Sequence, residues 1–244
     1  ICVIPARYGS KRFPGKPLAA ETGKPLIQHV CEAARAAARV DAVVVATDDE
    51  RIRRAVEAFG GRAVMTRPDH PCGTDRVAEA AARFPEAEIV INFQGDEPEL
   101  DPSLLDRLVA ALEGDPSLEA VTLAGPLAPE EASDPNAVKV VVAAGGDALY
   151  FSRAPIPVSR DGEGARQAPM RKHFGLYAYR GAALRDFAAM PQTPLERTEK
   201  LEQLRWLENG RRMRVLVTDH RPGGIDTPES YAAFVDRYRR AHAI

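Results

Sequence analysis

The stretch Ala42-Val43-Val44-Val45-Ala46, followed by Asp49 to Gly61 and Arg62 to Met65, decides the fold. Five small or β-branched residues without a polar side chain read as a strand covered on both faces. Ile52, Val56 and Phe59 then recur at helical spacing, and Gly60-Gly61 closes the helix. Arg62 to Met65 is a second strand. Strand, helix, strand is the unit of a parallel sheet.

The same alternation extends in both directions. Ile1 to Pro5 is a strand, and Leu26, Ile27, Val30, Ala34 and Ala37 stripe a helix. Thr74 is expected to cap a helix carrying Val77, Ala81 and Phe84, and Ile89 to Phe93 is the next strand. Leu104, Leu105, Leu108, Val109 and Leu112 mark another helix, and Ala120 to Ala124 another strand. The expectation is an α/β fold with a doubly wound, mostly parallel sheet. After about Pro126 the pattern changes. Val138 to Val142 and Ala148 to Phe151 flank Gly145-Gly146-Asp147 and read as a hairpin. Ser159 to Gln167 is polar and aperiodic, as in a mobile loop. His173 to Tyr179 is a strand, Leu195 to Leu207 one helix, Val215 to Val217 a strand and Tyr231 to Tyr238 a last helix. The 244 residues are expected to form one domain, with a small β sub-domain inserted at about 126–180.

Composition excludes some classes. Lys plus Arg is 33 and Asp plus Glu is 35, a net charge of −2. That balance gives no general attraction for nucleic acid or an anionic membrane. No uncharged apolar run is long enough to span a bilayer, and the opening run is too short for a signal peptide. Three cysteines without close spacing fit a reducing, cytoplasmic compartment.

Local charge is another matter. Pro5-Ala6-Arg7-Tyr8-Gly9-Ser10-Lys11-Arg12-Phe13-Pro14-Gly15-Lys16-Pro17 carries four cations, two glycines and no acid. At about 4 Å and an effective dielectric near 20, each like pair costs on the order of 4 kcal/mol. An anion among them, such as a triphosphate, would turn that cost into attraction. The loop follows a parallel strand, where open α/β sheets bind ligands. It has neither the Gly-Lys-Ser/Thr ending of a P-loop nor the spacing of a dinucleotide fingerprint. A solvated basic turn is the plainer reading.

Other segments carry polar groups at element ends. In Asp69-His70-Pro71-Cys72-Gly73-Thr74-Asp75-Arg76, the chemistry alone divides evenly between a capped helix start and a binding segment. In Asn92-Phe93-Gln94-Gly95-Asp96-Glu97-Pro98, Asp96 is well placed for Mg²⁺, or for capping a turn. In Gly223-Gly224-Ile225-Asp226-Thr227-Pro228-Glu229, Thr227, Pro228 and Glu229 fit a helix start, which leaves Asp226 without a role. By themselves, Arg153 reads as a surface residue and His173 as a core histidine.

The basic loop resembles the signature of the 3-deoxy-manno-octulosonate cytidylyltransferases, or CMP-KDO synthetases. Motif order agrees from about residue 3 to residue 230. The resemblance implies a nucleotide-diphospho-sugar transferase-like α/β/α fold and transfer of CMP from CTP to an acidic 2-keto sugar, with release of pyrophosphate, for lipopolysaccharide biosynthesis. It implies nucleotide contacts from Ala6, Arg7, Ser10, Arg12, Lys16, Gly73, Thr74, Arg76 and Asp96. Asp96 and Asp226 would hold Mg²⁺, and both would join Arg7 and Lys16 in catalysis. Gln94, Arg153, His173, Tyr177, Glu202 and Gln203 would meet the sugar. Cys72 departs from the family's usual Ser, and a thiol is the weaker hydrogen-bond partner. A homodimer formed through the hairpin sub-domain is also implied. Sialic acid activation and a metal-dependent glycosyltransferase on the same fold are the rival readings. Tyr8, Pro17 and His173-Phe174-Gly175-Leu176-Tyr177 favour the octulosonate over sialic acid, and the basic loop speaks against a glycosyltransferase.

Overall fold

The buried strand β1 (Cys2–Ala6) has a parallel strand paired on each edge. The computed structural model describes residues 1–10, 12–162, 167–221 and 223–242. Lys11 and residues 163–166 of the loop expected at Ser159–Gln167 lie outside the described residues. The chain divides into two compact units, Ile1–Val109 with Pro222–Ile244, and Ala110–Arg221. The stretch 126–180, expected as an insertion, lies inside the second.

In the first unit, α1 (Leu26–Arg35) leads to β2 (Val43–Thr47), α2 (Glu50–Ala58) to β3 (Arg62–Met65), and α3 (Gly73–Ala81) to β4 (Ile89–Asn92). The strand order is β3-β2-β1-β4, and the pairings within it are parallel, Cys2 facing both Val43 and Ile91. The chain therefore runs outward from β1 to β3 and returns to the other side of β1. This reversal puts the carboxyl ends of β1 and β4 at the switch point of the strand order, the position where such sheets bind ligands. Val3, Ile4, Val44, Val45 and Ala46 have no exposed surface. The first helix ends at Arg35, although Ala37 beyond it is still buried.

The start of α3 differs from the expectation. The N-cap is Cys72 rather than Thr74. Thr74 lies inside the helix, fully buried, and its hydroxyl accepts a hydrogen bond from Asn92 Nδ2 at 2.8 Å. Thr74 is the second residue of the helix, too late in the chain to be its N-cap.

The chain passes into the second unit within α4 (Ser103–Gly114). There β5 (Ala120–Pro126) is followed by the expected hairpin, β6 (Lys139–Val142) and β7 (Ala148–Ser152). Gly146, at φ 89°, supplies the left-handed residue of its turn. β8 (Arg171–Arg180) pairs antiparallel with β5 and β6, and β9 (Arg214–Val217) pairs parallel with β5. Between them lies α5 (Gly181–Ala189), buried through Ala183, Leu184 and Phe187. That helical spacing is present in the sequence.

The helix expected at Leu195 to Leu207 is two helices, α6 (Pro194–Glu199) and α7 (Gln203–Glu208). Lys200 breaks them with φ 54°. Arg153 donates from Nε to the Glu199 carbonyl at 2.7 Å and from Nη2 to the Lys200 carbonyl at 3.2 Å. Arg153 thus satisfies carbonyls that the helix end leaves without intrahelical partners, and no glycine or proline marks the place.

The last helix, α8 (Pro228–His242), belongs to the first unit. Tyr231, Phe234 and Val235 bury against Leu26 and Ile225. Thr227 is the N-cap, as expected: its hydroxyl accepts the Ser230 N–H at 3.2 Å.

Candidate active site

The expected repulsion within the basic loop is answered by the protein's own carboxylates. Lys16 Nζ donates to Asp96 Oδ2 at 3.0 Å and to the Ile225 carbonyl at 2.7 Å. It lies 3.9 Å from Asp226 Oδ1, and Arg12 Nη2 is 2.8 Å from the same oxygen. The loops after β1 and β4 and the segment before α8 thus meet around one ammonium group. Arg7 is exposed, and Ser10 Oγ accepts the Phe13 N–H at 3.2 Å.

Local chemistry explains why these loops meet. Gly95 lets the segment after β4 pass close to β1, for a Cβ there would stand 3.1 Å from the Pro5 carbonyl oxygen. The Ile225 N–H donates to the Asp96 carbonyl at 2.8 Å. The Ile225 side chain is fully buried in the α1–α8 cluster, so hydrophobic packing fixes the residue beside Asp226. The Asp226 N–H and the Thr227 N–H both donate to Ser230 Oγ at 3.0 Å.

Polar groups continue along the end of β4. Gln94 Nε2 donates to Asn92 Oδ1 at 3.2 Å, and Asn92 connects to Thr74. Gly73 borders this chain, with Gln94 Nε2 3.8 Å from where its Cβ would be. Ala6, the last residue of β1, is buried. The Arg76 guanidinium is buried too; it donates to Thr66 Oγ1 at 2.6 Å and pairs with Asp48 at 3.1 Å. Cys72 Sγ donates to Asp75 Oδ2 at 3.0 Å, and His70 bonds to Glu79. Ile225 and Asn92 build the site without being among the residues expected from the sequence. Ile225 acts through its backbone and leaves no side-chain signal. A fully buried Asn ending an apolar strand was legible.

The remaining candidates lie in the second unit. His173 is buried, and its Nε2 shares a 2.9 Å hydrogen bond with Thr122 Oγ1. Burial pushes its pKa down to about 3, so the imidazole is neutral at pH 7. The Tyr177 ring lies 5.4 Å from it, and the Tyr177 hydroxyl donates to Gln203 Oε1 at 3.2 Å. Gln203 is buried at the start of α7, and Glu202 precedes it. Arg153 gives hydrogen bonds to the carbonyls of Pro135, Glu199 and Lys200. Cys2 and Cys31 are free, and burial pushes the Cys31 thiol up to about 12.

Cations and carboxylates thus gather at the reversal point of a parallel α/β sheet, where such sheets bind ligands. A family profile described as cytidylyltransferase matches residues 1–213. The 3-deoxy-manno-octulosonate cytidylyltransferase of Nitratidesulfovibrio vulgaris strain Hildenborough is 53% identical over 240 residues, covering 97% of this chain and 95% of that protein. The enzyme of the same name from Anaeromyxobacter sp. strain Fw109-5 is 54% identical over 228 residues, covering 93% and 91%. A solved structure of CMP:2-keto-3-deoxy-manno-octonic acid synthetase complexed with CTP matches with a TM-score of 0.92 at 45% identity, covering 99% of this chain and 98% of that one. The chain belongs to the cytidylyltransferase family, among the 3-deoxy-manno-octulosonate cytidylyltransferases. The expected α/β fold, a mostly parallel sheet with helices on both sides, is borne out by the same structural match.

Proposed function

We propose that this enzyme transfers CMP from CTP to 3-deoxy-manno-octulosonate and releases pyrophosphate. The observation that carries the reading is the convergence of Arg12, Lys16, Asp96 and Asp226 at the end of the parallel sheet. Arg7, Ser10, Arg12 and Lys16 hold the triphosphate. Ala6, Gly73, Thr74 and Arg76 shape the nucleotide pocket, Arg76 from a buried position. The oxygen of the sugar's anomeric hydroxyl bonds to the α-phosphorus as the bond to pyrophosphate breaks. Arg7 and Lys16 stabilise the charge that develops on the phosphate oxygens. Gln94, Arg153, His173, Tyr177, Glu202 and Gln203 bind the sugar. His173, neutral and shared with Thr122, is suited to a hydroxyl rather than to a carboxylate.

Asp96 and Asp226 fit a magnesium ion, since both already turn oxygens toward one cationic nitrogen and Mg²⁺ favours one or two carboxylates plus phosphate oxygens. Bound there, it would offset phosphate charge. The reading extends to a cytoplasmic homodimer that serves lipopolysaccharide assembly. The free cysteines Cys2 and Cys31 support the compartment. Among the described residues no helix is long and apolar enough to cross a membrane.

A pyrophosphate-release screen of the four ribonucleoside triphosphates against several 2-keto acid sugars tests the assignment. CTP with 3-deoxy-manno-octulosonate is expected to be fastest, and faster turnover of N-acetylneuraminate would overturn it. Lys16→Ala is expected to lower turnover at least about a hundredfold while far-ultraviolet circular dichroism stays unchanged.

A further inference from the structure

Tyr8 is the hub of the basic loop. Its carbonyl accepts the N–H of Ser10 at 2.9 Å and that of Gly15 at 3.0 Å. Its ring lies against Gly15: a Cβ there would be 3.2 Å from Cε2, Cζ and the hydroxyl oxygen. Gly15 has φ 74°, a conformation that other residues adopt only with strain. Ser10 and Lys16, close in the chain to these bonds, take their places from Tyr8.

The ring is held in turn from the next strand. The register Ala6 to Thr47 brings the segment after β2 beside the loop after β1. Arg51, in the first turn of α2, lays its guanidinium over the Tyr8 ring, the central carbon 3.4 Å from the ring centroid. Asp49 fixes that guanidinium through Nε to Oδ1 at 2.9 Å and Nη2 to Oδ2 at 2.6 Å. The same carboxylate accepts the Arg51 N–H at 2.9 Å and so caps α2. Stacking a guanidinium on an aromatic face is attractive, and a two-point clamp restricts its freedom to leave.

We propose that Arg51, clamped by Asp49 and stacked on Tyr8, is a positioning residue that preorganises the loop for CTP. This rests on the assignment of the Arg7–Lys16 loop to the triphosphate. Arg51 need not touch nucleotide, because a loop already in its bound shape loses less entropy on binding.

Calorimetric titration of CTP without acceptor tests it. Arg51→Ala is expected to weaken CTP binding about three- to fivefold. Its KM for CTP rises while kcat at saturation is unchanged. Tyr8→Leu weakens binding by at least as much, whereas Tyr8→Phe, which keeps the ring, stays within about twofold of the parent. The double variant Arg51→Ala, Tyr8→Leu binds no more weakly than Tyr8→Leu alone. Multiplying losses would show Arg51 acting independently of the ring and overturn the proposal. Asp49→Asn, which keeps a competent helix cap, is expected to weaken CTP in the same direction, and parent-like affinity would overturn the clamp. Lys16→Ala separates the two readings. If it loses CTP while Arg51→Ala does not, only the Arg51 proposal fails; if it keeps CTP, the loop assignment fails as well.

Discussion

Lys16 is only partly exposed and gives its charge to Asp96, to Asp226 and to a backbone carbonyl. Removing it leaves two nearby carboxylates without their shared cation, which is why the alanine variant is expected to disturb the site itself rather than the fold. His173 shows the opposite use of burial. The folded imidazole stays neutral down to about pH 3, whereas the unfolded one takes up its proton near 6.5. Between those values the unfolded state binds more protons, so stability falls as pH falls. His29 is also lowered, chiefly by burial, and adds in the same direction. Urea unfolding at pH 7 and pH 5 is expected to show a loss of about 2 kcal/mol from His173 alone. His173→Phe should remove that part of the slope, and equal slopes in parent and variant would contradict it.

At the scale of elements, the break between α6 and α7 presents Gln203 and Glu202 at a helix start. Two buried groups hold it. Arg205 donates from Nε to Glu196 Oε2 at 2.9 Å and from Nη2 to Oε1 at 2.7 Å, both side chains almost fully enclosed. Thr193 and Glu196 also form the capping box of α6. Arg205→Met would strand a buried carboxylate and is expected to cost about 3–5 kcal/mol in urea denaturation. Glu196→Leu combined with Arg205→Met should recover most of that, since replacing a whole buried pair by apolar groups is often neutral. A double variant as unstable as the single one would show that the pair's packing matters more than its charge.

At the scale of the whole molecule, the residues proposed for the nucleotide lie in the first unit, and those proposed for the sugar, Gln94 apart, lie in the second. CTP alone should therefore stabilise the parent, because ligand bound only to the folded state adds about 2.7 kcal/mol at a hundredfold excess over Kd. That corresponds to a rise in melting temperature of about 5–10 °C for a chain of this size. Gln203→Ala is expected to keep the rise and Lys16→Ala to lose it. A loss in Gln203→Ala would assign that residue to the nucleotide.

By itself the sequence determined the strand–helix alternation, the basic loop and the helix start at Thr227. Each depends on residues near one another, where apolar spacing, charge and capping chemistry show directly. Tertiary structure alone decided that Lys16 meets Asp96, 80 residues away, and Ile225, 209 residues away. It also decided that Thr74 bonds to Asn92, and that Arg153 satisfies the carbonyls between α6 and α7. Those outcomes rest on backbone carbonyls and distant side chains. A carbonyl is the same in every residue, so its partner is set by which strands become neighbours.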